Sequence, residues 1–306
     1  MISLTRASRW YGQVIGINDV TCTIQAGLTA LLGPNGAGKS TFMKLVTGQL
    51  RPTTGDVRVF NQRPFANTHV FRRIGYCPEI EALYDDMTGR SFVTMLAAMA
   101  GIARAKRAER VDEVLGMVSM SHAADRRIGG YSKGMRQRIK IAQALVHDPE
   151  IIILDEPLNG LDPVGRKEMT ALFLRLATEN RCVLVSSHIL YEVEQMTRQI
   201  ILMDRGRLRA MGDVYQIRAL IDAHPHRVSI TTSRARDLAR RLLEFPYILS
   251  ATLDSADARQ VTIETRSPDA FYDDLPRIVL ADGYRVEELD SPDNNLEAVF
   301  RYLVKG

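Results

Sequence analysis

The sequence predicts an α/β fold with a parallel sheet, followed by a smaller α+β domain. The first observation is the apolar run 151–154, which is typical of a strand buried on both faces and therefore of a parallel sheet. The second is a glycine-rich loop, 33–40, that follows a short apolar strand and precedes a helix. The third is the order β-α-β-β-α-β after His224-Pro225-His226, which is typical of a ferredoxin-like domain.

The composition is compatible with two domains and excludes several classes of protein. The 306 residues are many for one domain, and the 45% that are hydrophobic suffice for a sizeable core. The net charge of +4 comes from 40 basic and 36 acidic residues, an excess too small to require a nucleic-acid partner. Cys22, Cys77 and Cys182 form no Cys-x-x-Cys pair, which argues against a disulfide framework or a zinc site and fits a reducing cytosol.

No segment is predicted to cross a membrane. The N-terminus carries no apolar signal region, and the longest apolar-rich run, 93–103, is shorter than the ~20 residues that a spanning helix needs. We therefore expect a soluble chain. If the protein works at a membrane, another chain supplies the membrane part.

The first thirty residues predict short strands at 2–5 and 20–24. Between them lies a turn-rich segment with the aromatic pair Trp10-Tyr11. An exposed aromatic shortly before a phosphate loop suits stacking on a purine. The alternative is a turn aromatic that packs on the sheet, and the residues alone favour that alternative.

The loop 33–40 reads Gly-Pro-Asn-Gly-Ala-Gly-Lys-Ser, the G-x-x-x-x-G-K-[ST] pattern of a phosphate-binding loop. Its glycines let successive backbone N–H groups point at one phosphate, and the positive end of the following helix faces the anion. Lys39 supplies a positive charge for the outer phosphates, and the Ser40 hydroxyl is a hard oxygen ligand for Mg²⁺. The loop therefore predicts nucleotide binding.

The next segment predicts two strands and then helices. A strand at 57–60 is followed by one at 72–79 that Pro78 terminates. Residues 88–120 predict two helices with a break at Gly101 and a basic group beside it, which is typical of a solvated helix face, with an acidic partner as the alternative. Ser132 is a good helix N-cap, and the neighbouring glycines fit either a second anion site or an ordinary capped helix.

Polar residues follow the two most apolar strands. Asp155 and Glu156 end the strand that begins at residue 151, and His188 follows the strand 183–187. Because ligands bind at the carboxyl ends of parallel strands, we expect these side chains to lie near the phosphates. The elements predicted around them are a capping turn at 159–163, a helix at 164–180, a hairpin at 199–208 and a helix at 213–223.

The last third predicts a small domain with no catalytic constellation. The arginines of its first helix suit nucleic acid or acidic lipid, although a solvated helix face is the simpler interpretation. The predicted strands are 227–232, 247–254, 260–265 and 285–289, and the predicted helices are 234–244, 269–281 and 296–304.

Over residues 1 to about 220, the motifs together resemble the ATP-binding subunit of ABC transporters. They are Tyr11-Gly12, the loop 33–40, the signature segment Tyr131-Ser132-Lys133-Gly134-Met135, Asp155-Glu156-Pro157, Gly160-Leu161-Asp162 and His188. The resemblance implies a P-loop NTPase with a RecA-like core, an antiparallel β subdomain and a helical subdomain at about 80–147. It implies an ATPase domain at 1–223 and leaves 224–306 as the small domain.

The resemblance also implies a head-to-tail homodimer with two ATP molecules between its subunits. Ser132 and Gly134 of one copy would face the γ-phosphate bound to the other, and Asp162 would link the two sites. Tyr11 resembles the aromatic that stacks on adenine, with Trp10 as a substitute. Glu156 resembles the general base that accepts a proton from the attacking water, and His188 resembles the γ-phosphate contact.

ATP and Mg²⁺ are the cofactors that the resemblance implies. The phosphates would contact Lys39 and the rest of the loop, namely Asn35, Gly36, Ala37, Gly38, Ser40 and Thr41. Mg²⁺ would be held by Ser40 and Asp155. Glu79, where the family usually has glutamine, would be a further hard oxygen near the metal, although it adds negative charge near the phosphates.

Cys77-Pro78-Glu79 and residues 131–138 are similar to the ATPases of bacterial exporters for drugs, antibiotics, ions or lipids. Lys133 and Met135 depart from the usual Leu-Ser-Gly-Gly-Gln signature. The resemblance implies an ATP-hydrolysing motor subunit, peripheral to the cytoplasmic face of the cell membrane and coupled to a separate transmembrane permease, without a nucleic-acid partner. The alternative is a soluble ABC ATPase acting on ribosomes or nucleic acid, a class that usually has two cassettes or a long coiled coil. This chain has one cassette and no sustained heptads.

Overall fold

The structure is a computed structural model that describes residues 1–219, 225–255 and 257–291. Contacts between Cα atoms divide the chain into two units, Met1–Asp213 and Val214–Gly306. The domain boundary between residues 223 and 224 stays a prediction, because 220–224 lie outside the described ranges. The predicted helix 296–304 lies outside them as well.

The first unit combines two sheets with helices. Its strands are β1 (Ile2–Tyr11), β2 (Val14–Ile24), β3 (Gly27–Leu32), β4 (Thr54–Val59), β5 (Ile74–Cys77), β6 (Ile151–Leu154), β7 (Cys182–Ser186), β8 (Gln199–Asp204) and β9 (Arg207–Asp213). Its helices are α1 (Lys39–Val46), α2 (Thr68–Phe71), α3 (Gly89–Met99), α4 (Arg104–Met117), α5 (Lys133–Leu145), α6 (Pro163–Thr178) and α7 (Leu190–Glu194).

The main sheet has the strand order β5-β6-β7-β3-β8-β9. Its pairs are parallel except for β8 and β9, which form the predicted antiparallel hairpin. Every residue of β6 and β7 is buried, and because successive side chains point to opposite faces, both faces of these strands are covered. The predicted parallel sheet is therefore confirmed.

The parallel strands bring three chain segments to one edge of the main sheet. β3 leads into the loop 33–38, β6 leads directly into Asp155, and β7 leads into Ser187 and His188. Because these strands run in the same direction, the three segments leave the sheet at the same edge.

A second sheet of the first unit is antiparallel, with the order β2-β1-β4. The prediction of short strands at 2–5 and 20–24 was wrong: β1 continues to Tyr11, so Trp10 and Tyr11 lie in a strand and not in a turn-rich segment. Shifts of register interrupt the pairing of β1 with β2, and Ala7 and Ser8 are buried at consecutive positions. These bulges break the period-two alternation from which strands are predicted.

The helices α3, α4 and α5 form the predicted helical region. Thr88 caps α3 by accepting a hydrogen bond from the backbone N–H of Ser91 at 3.1 Å. Gly101, with φ +86°, lies in the break between α3 and α4 as predicted. The predicted basic group beside Gly101 consists of Arg104, Lys106, Arg107 and Arg110. Two of its members have a structural role, because Arg107 and Arg110 donate to main-chain carbonyl oxygens.

The second unit contains a four-stranded antiparallel sheet with two helices packed on it. Its described elements are α8 (Val214–Ala219), β10 (His226–Thr232), α9 (Ala235–Leu242), β11 (Ile248–Leu253), β12 (Gln260–Thr265), α10 (Pro268–Ala281) and β13 (Val286–Asp290). The strand order is β11-β12-β10-β13, and Val228, Ile263, Leu238 and Phe271 belong to its apolar core. From β10 onward, the described elements follow the predicted order β-α-β-β-α-β.

Candidate functional site

The loop after β3 borders a cavity of about 450 Å³, called the loop cavity below. Most of the predicted site residues line this one cavity. They are Tyr11, Asn35, Gly36, Ala37, Gly38, Lys39, Ser40, Thr41, Glu79, Asp155, Glu156 and His188. The three remaining predicted residues, Ser132, Gly134 and Asp162, are not among the residues that line it.

The loop 33–38 is shaped by glycines at positions where a side chain does not fit. Gly38 has φ +101° and precedes α1, and a Cβ atom there would lie 2.4 Å from the carbonyl oxygen of Gly16. Gly33 has φ +151°, and its Cβ would lie 2.3 Å from the carbonyl oxygen of Met203. The loop is therefore pressed against β2 and β8 and leads into the N-terminus of α1 at the cavity, where backbone N–H groups favour an anion.

The Lys39 side chain is buried at the base of the loop. Its ammonium group donates to the carbonyl oxygen of Gly33 at 2.7 Å and to that of Pro34 at 3.3 Å. Both acceptors are neutral, so an anion in the loop cavity would offer this ammonium a stronger, charge-assisted partner.

Asp155 is held at the cavity wall by two serines. The Ser40 hydroxyl donates to Asp155 Oδ2 at 3.3 Å, and the Ser186 hydroxyl donates to Asp155 Oδ1 at 2.6 Å. Ser186 also accepts from the backbone N–H of Glu156 at 2.8 Å. Its role was missed from the sequence, where the only signal is a polar residue at the end of an apolar strand beside β6.

Glu156 lies next to Asp155 and is nearly buried. A hydrogen bond of 2.9 Å joins its Oε2 to Nδ1 of His188, whose own side chain is half exposed. Burial raises the pKa of the Glu156 carboxyl above its usual value, and the interaction with His188 opposes that rise. The backbone of Glu156 has φ +49°, a conformation that is strained for a residue with a side chain and is often found at functional sites.

Of the two neighbouring aromatics, Tyr11 lines the loop cavity and Trp10 is not among the lining residues. The Tyr11 ring lies over Gly16, where a Cβ atom would be 2.8 Å from a ring carbon. The Arg9 guanidinium lies 5.0 Å from the centre of the Tyr11 ring. Gly16 and its neighbours Val14 and Ile15 complete this wall, and no motif in the sequence indicated them.

Ser132, Gly134 and Asp162 lie in two adjacent segments at the starts of helices. The Ser132 hydroxyl accepts from the backbone N–H of Met135 at 3.2 Å and so caps α5, as predicted. Asp162 caps α6 by accepting from the backbone N–H of Gly165 at 3.1 Å. The segments touch, because a Cβ atom on Gly134 would lie 3.2 Å from the carbonyl oxygen of Gly160.

Ser40, Asp155 and Glu79 present hard oxygens to the loop cavity. Hydroxyl and carboxylate oxygens are the ligands that Mg²⁺ prefers. Among the residues that the structure describes, no group of three or more His, Cys, Asp or Glu side chains is arranged to hold a metal. The arrangement fits a cation that takes one or two protein oxygens and shares the rest of its coordination with water and a phosphorylated ligand.

Comparison with known proteins points to one family. The family model described as ABC transporter matches residues 17–159. The bacitracin transport ATP-binding protein BcrA of Enterococcus faecalis is 30% identical over 312 residues, which cover 100% of this chain and 97% of BcrA.

Solved structures agree. The structure of an ATP-binding subunit of an ABC transporter is 29% identical, with a TM-score of 0.65, and the match covers 71% of this chain and 92% of that one. The dimeric structure of MJ0796, a bacterial ABC transporter cassette, is 24% identical, with a TM-score of 0.65 and coverage of 70% and 99%, which shows the fold.

Proposed function

The chain belongs to the ABC transporter family as an ATP-binding subunit and is an ATPase, and from that premise we propose that it is the motor subunit of an exporter. Two copies would close around ATP, and hydrolysis would let them reopen and drive a separate membrane protein. The observation that carries the proposal is the loop cavity itself, in which the phosphate loop faces Asp155 and Glu156 across the edge of the main sheet.

The loop cavity would bind the phosphates of ATP through its backbone N–H groups and Lys39. Phosphates would replace the neutral carbonyl oxygens that the Lys39 ammonium now contacts. Tyr11, 42% exposed and at the cavity wall, would stack on the adenine. Ser40 and Asp155, 3.3 Å apart, would hold Mg²⁺, with Glu79 as a further oxygen. When bound, Mg²⁺ neutralises charge on the phosphate oxygens.

Glu156 would accept a proton from the water that attacks the γ-phosphate. Phosphoryl transfer depends mainly on positioning and charge stabilisation, and Glu156 is positioned by Ser186 at its N–H and by His188 at its carboxylate. The raised pKa of the Glu156 carboxyl makes it a better proton acceptor than an ordinary glutamate. His188 is half exposed, so it would reach the γ-phosphate as well.

A head-to-tail pair of copies would complete each site. Ser132 and Gly134 lie beside Gly160, at the start of α5, and not in the loop cavity of their own chain. In a head-to-tail dimer, this surface of one copy would cover the γ-phosphate held by the other, and Asp162 would link the two sites. The MJ0796 cassette, which shares the fold, is dimeric, and this supports the pairing of two copies.

The membrane part would come from a separate permease. Of the helices in the described ranges, none has both the length and the apolar character that crossing a bilayer requires. BcrA is named for bacitracin transport, which supports a role in transport; export as the direction and the cytoplasmic face of the membrane as the place of work are part of the proposal. The helical region at about 80–130 would dock on the permease, with the segment around Glu79 responding to nucleotide.

Affinity purification from the native cell tests the transporter function. We expect the tagged chain, after gentle solubilisation of membranes, to bring down a polytopic membrane protein in stoichiometric amount. A tagged Lys39→Ala chain is purified in parallel as a control. It shows how much of the copurifying protein is recovered without tight ATP binding. Recovery with ribosomes or nucleic acid instead, and absence from the membrane fraction, would establish the soluble class of ABC ATPase and overturn the proposal.

A further inference from the structure

α5 carries a buried cation that the proposed chemistry does not use. Lys140 is only 4% exposed, and its ammonium group donates to the carbonyl oxygen of Glu79 at 2.7 Å and to Gln137 Oε1 at 3.1 Å. Both acceptors are neutral, and no ion pair of Lys140 is found among the described residues. Burying an ammonium in this way is costly, so its position calls for a reason other than stability.

Gln137 extends the contact to a second segment of the site. It lies one turn before Lys140 on the same face of α5 and is also buried. Its Oε1 accepts from Lys140, and its Nε2 donates to the carbonyl oxygen of Pro157 at 2.9 Å. The two side chains thus form a continuous bridge from the carbonyl of Glu79 to the carbonyl of Pro157, through a helix that starts next to Ser132.

The bridge connects the Glu79 and Pro157 segments just beyond the point where the backbone pairing of β5 with β6 ends. The pairing of β5 with β6 ends at Cys77 and Leu154, followed by one bond from the Asp155 N–H to the Cys77 carbonyl at 2.8 Å. Beyond that bond, the pairing of β5 with β6 does not continue to the backbones of Glu79 and Glu156. The side chains of Lys140 and Gln137 connect the two segments there instead.

The bridge also holds the strained backbone at Glu156. A residue with φ +49° keeps that conformation only when its surroundings fix it. On the N-terminal side, Ser186 accepts from the N–H of Glu156, and on the C-terminal side, Gln137 donates to the carbonyl of the next residue, Pro157. The Glu156 backbone is therefore fixed from β7 and from α5 together.

We propose that Lys140 and Gln137 act as one positioning unit for ATP hydrolysis. From α5, the helix that Ser132 caps, they fix the position of the Glu156 segment relative to the Glu79 segment. The proposal rests on the proposed function, since it concerns the same site. Neither side chain lines the loop cavity. The unit would therefore act on turnover through Glu156, and not on the affinity for ATP.

A double-mutant cycle with Lys140→Met and Gln137→Met tests this proposal. We expect each variant to lower kcat by about 10- to 100-fold, because small displacements of a catalytic group cost this much, while the Kd for ATP stays within about threefold of wild type. The kcat of the double variant should be no lower than that of the more impaired single variant, because either change already breaks the bridge. Lys140→Gln, which keeps a donor for the Glu79 carbonyl, should recover part of the loss.

Gln143→Met on the same helix and Lys167→Met on the exposed face of α6 are matched controls, and both should keep wild-type kcat. Multiplication of the two single losses in the double variant would overturn the proposal, as would an unchanged kcat. A parallel fall of Tm and of ATP affinity would also overturn it, because it would show a general structural role. The two proposals can fail independently. If no membrane partner is recovered but the double-mutant cycle still shows that Lys140 and Gln137 are coupled, the transporter function is wrong and the positioning unit stands.

Discussion

Replacing Glu156 with glutamine lowers the rate of ATP hydrolysis by about 100- to 10,000-fold and leaves ATP bound. The range is that expected for loss of a general base. Glutamine keeps the shape of the side chain and an oxygen that can accept from His188, so the cavity and the 2.9 Å contact should survive. Steady-state turnover and equilibrium ATP binding, measured on the same protein, give both halves of the result.

Glu150→Gln is the matched control for Glu156→Gln. Glu150 precedes β6, as Glu156 follows its end, but Glu150 is exposed and paired with Arg73. An exposed ion pair contributes little to stability, so this variant should hydrolyse ATP normally. The pH profile gives a second check: burial raises the pKa of Glu156, so the wild-type rate should begin to fall, on acidification, above the usual pH range of carboxyl groups. Normal turnover in Glu156→Gln would remove Glu156 from the role of base.

Replacing Lys39 with alanine weakens ATP binding by about 10- to 100-fold. The estimate is the value of a hydrogen bond between charged groups, converted to affinity. The ammonium lies against the Gly33 and Pro34 carbonyls at the base of the loop. Residues 33–40 contain no other lysine or arginine that could replace it. Titration with ATP, followed by fluorescence or calorimetry, measures the change.

Lys44→Ala controls for the loss of one positive charge from α1. Lys44 lies in the last turn of the same helix but is exposed and is not among the residues that line the loop cavity. It should bind ATP like wild type. Lys39→Met, which keeps most of the side-chain volume, separates loss of the charge from loss of packing. If Lys39→Ala binds ATP normally, the loop does not hold the phosphates in the way proposed.

The parts of the site that follow from local chemistry could be predicted from the sequence. Glycines at positive φ, a lysine and a serine at fixed spacing define the phosphate loop, and its strand and helix are as expected. Two carboxylates after a fully apolar strand imply a position at the edge of a parallel sheet. The edge is shared with His188 because β6 and β7 are neighbours and run parallel.

The parts that depend on tertiary contacts could not be predicted. Tyr11 enters the cavity because β1 bulges and continues past residue 5, and bulges erase the alternation on which strand prediction depends. Ser186 was missed because its importance comes from the neighbouring strand, which no local pattern encodes. Nothing in the sequence indicated a role for Lys140, because its contact with the Glu79 carbonyl joins residues 61 positions apart.

A mixing experiment tests the central claim, that each ATP is held between two copies, most directly. Lys39→Ala removes the phosphate contact of one copy, and Gly134→Asp puts a carboxylate where the γ-phosphate of the other copy's ATP would lie. At an ATP concentration near the wild-type Kd, we expect each variant alone to be nearly inactive, because Lys39→Ala then binds little ATP. Dimers that contain one of each, isolated through two different tags, should hydrolyse ATP, since they regain one site with an intact Lys39 facing an intact Gly134. Mixed dimers as inactive as their parents would contradict the account and would place both residues in the site of a single chain.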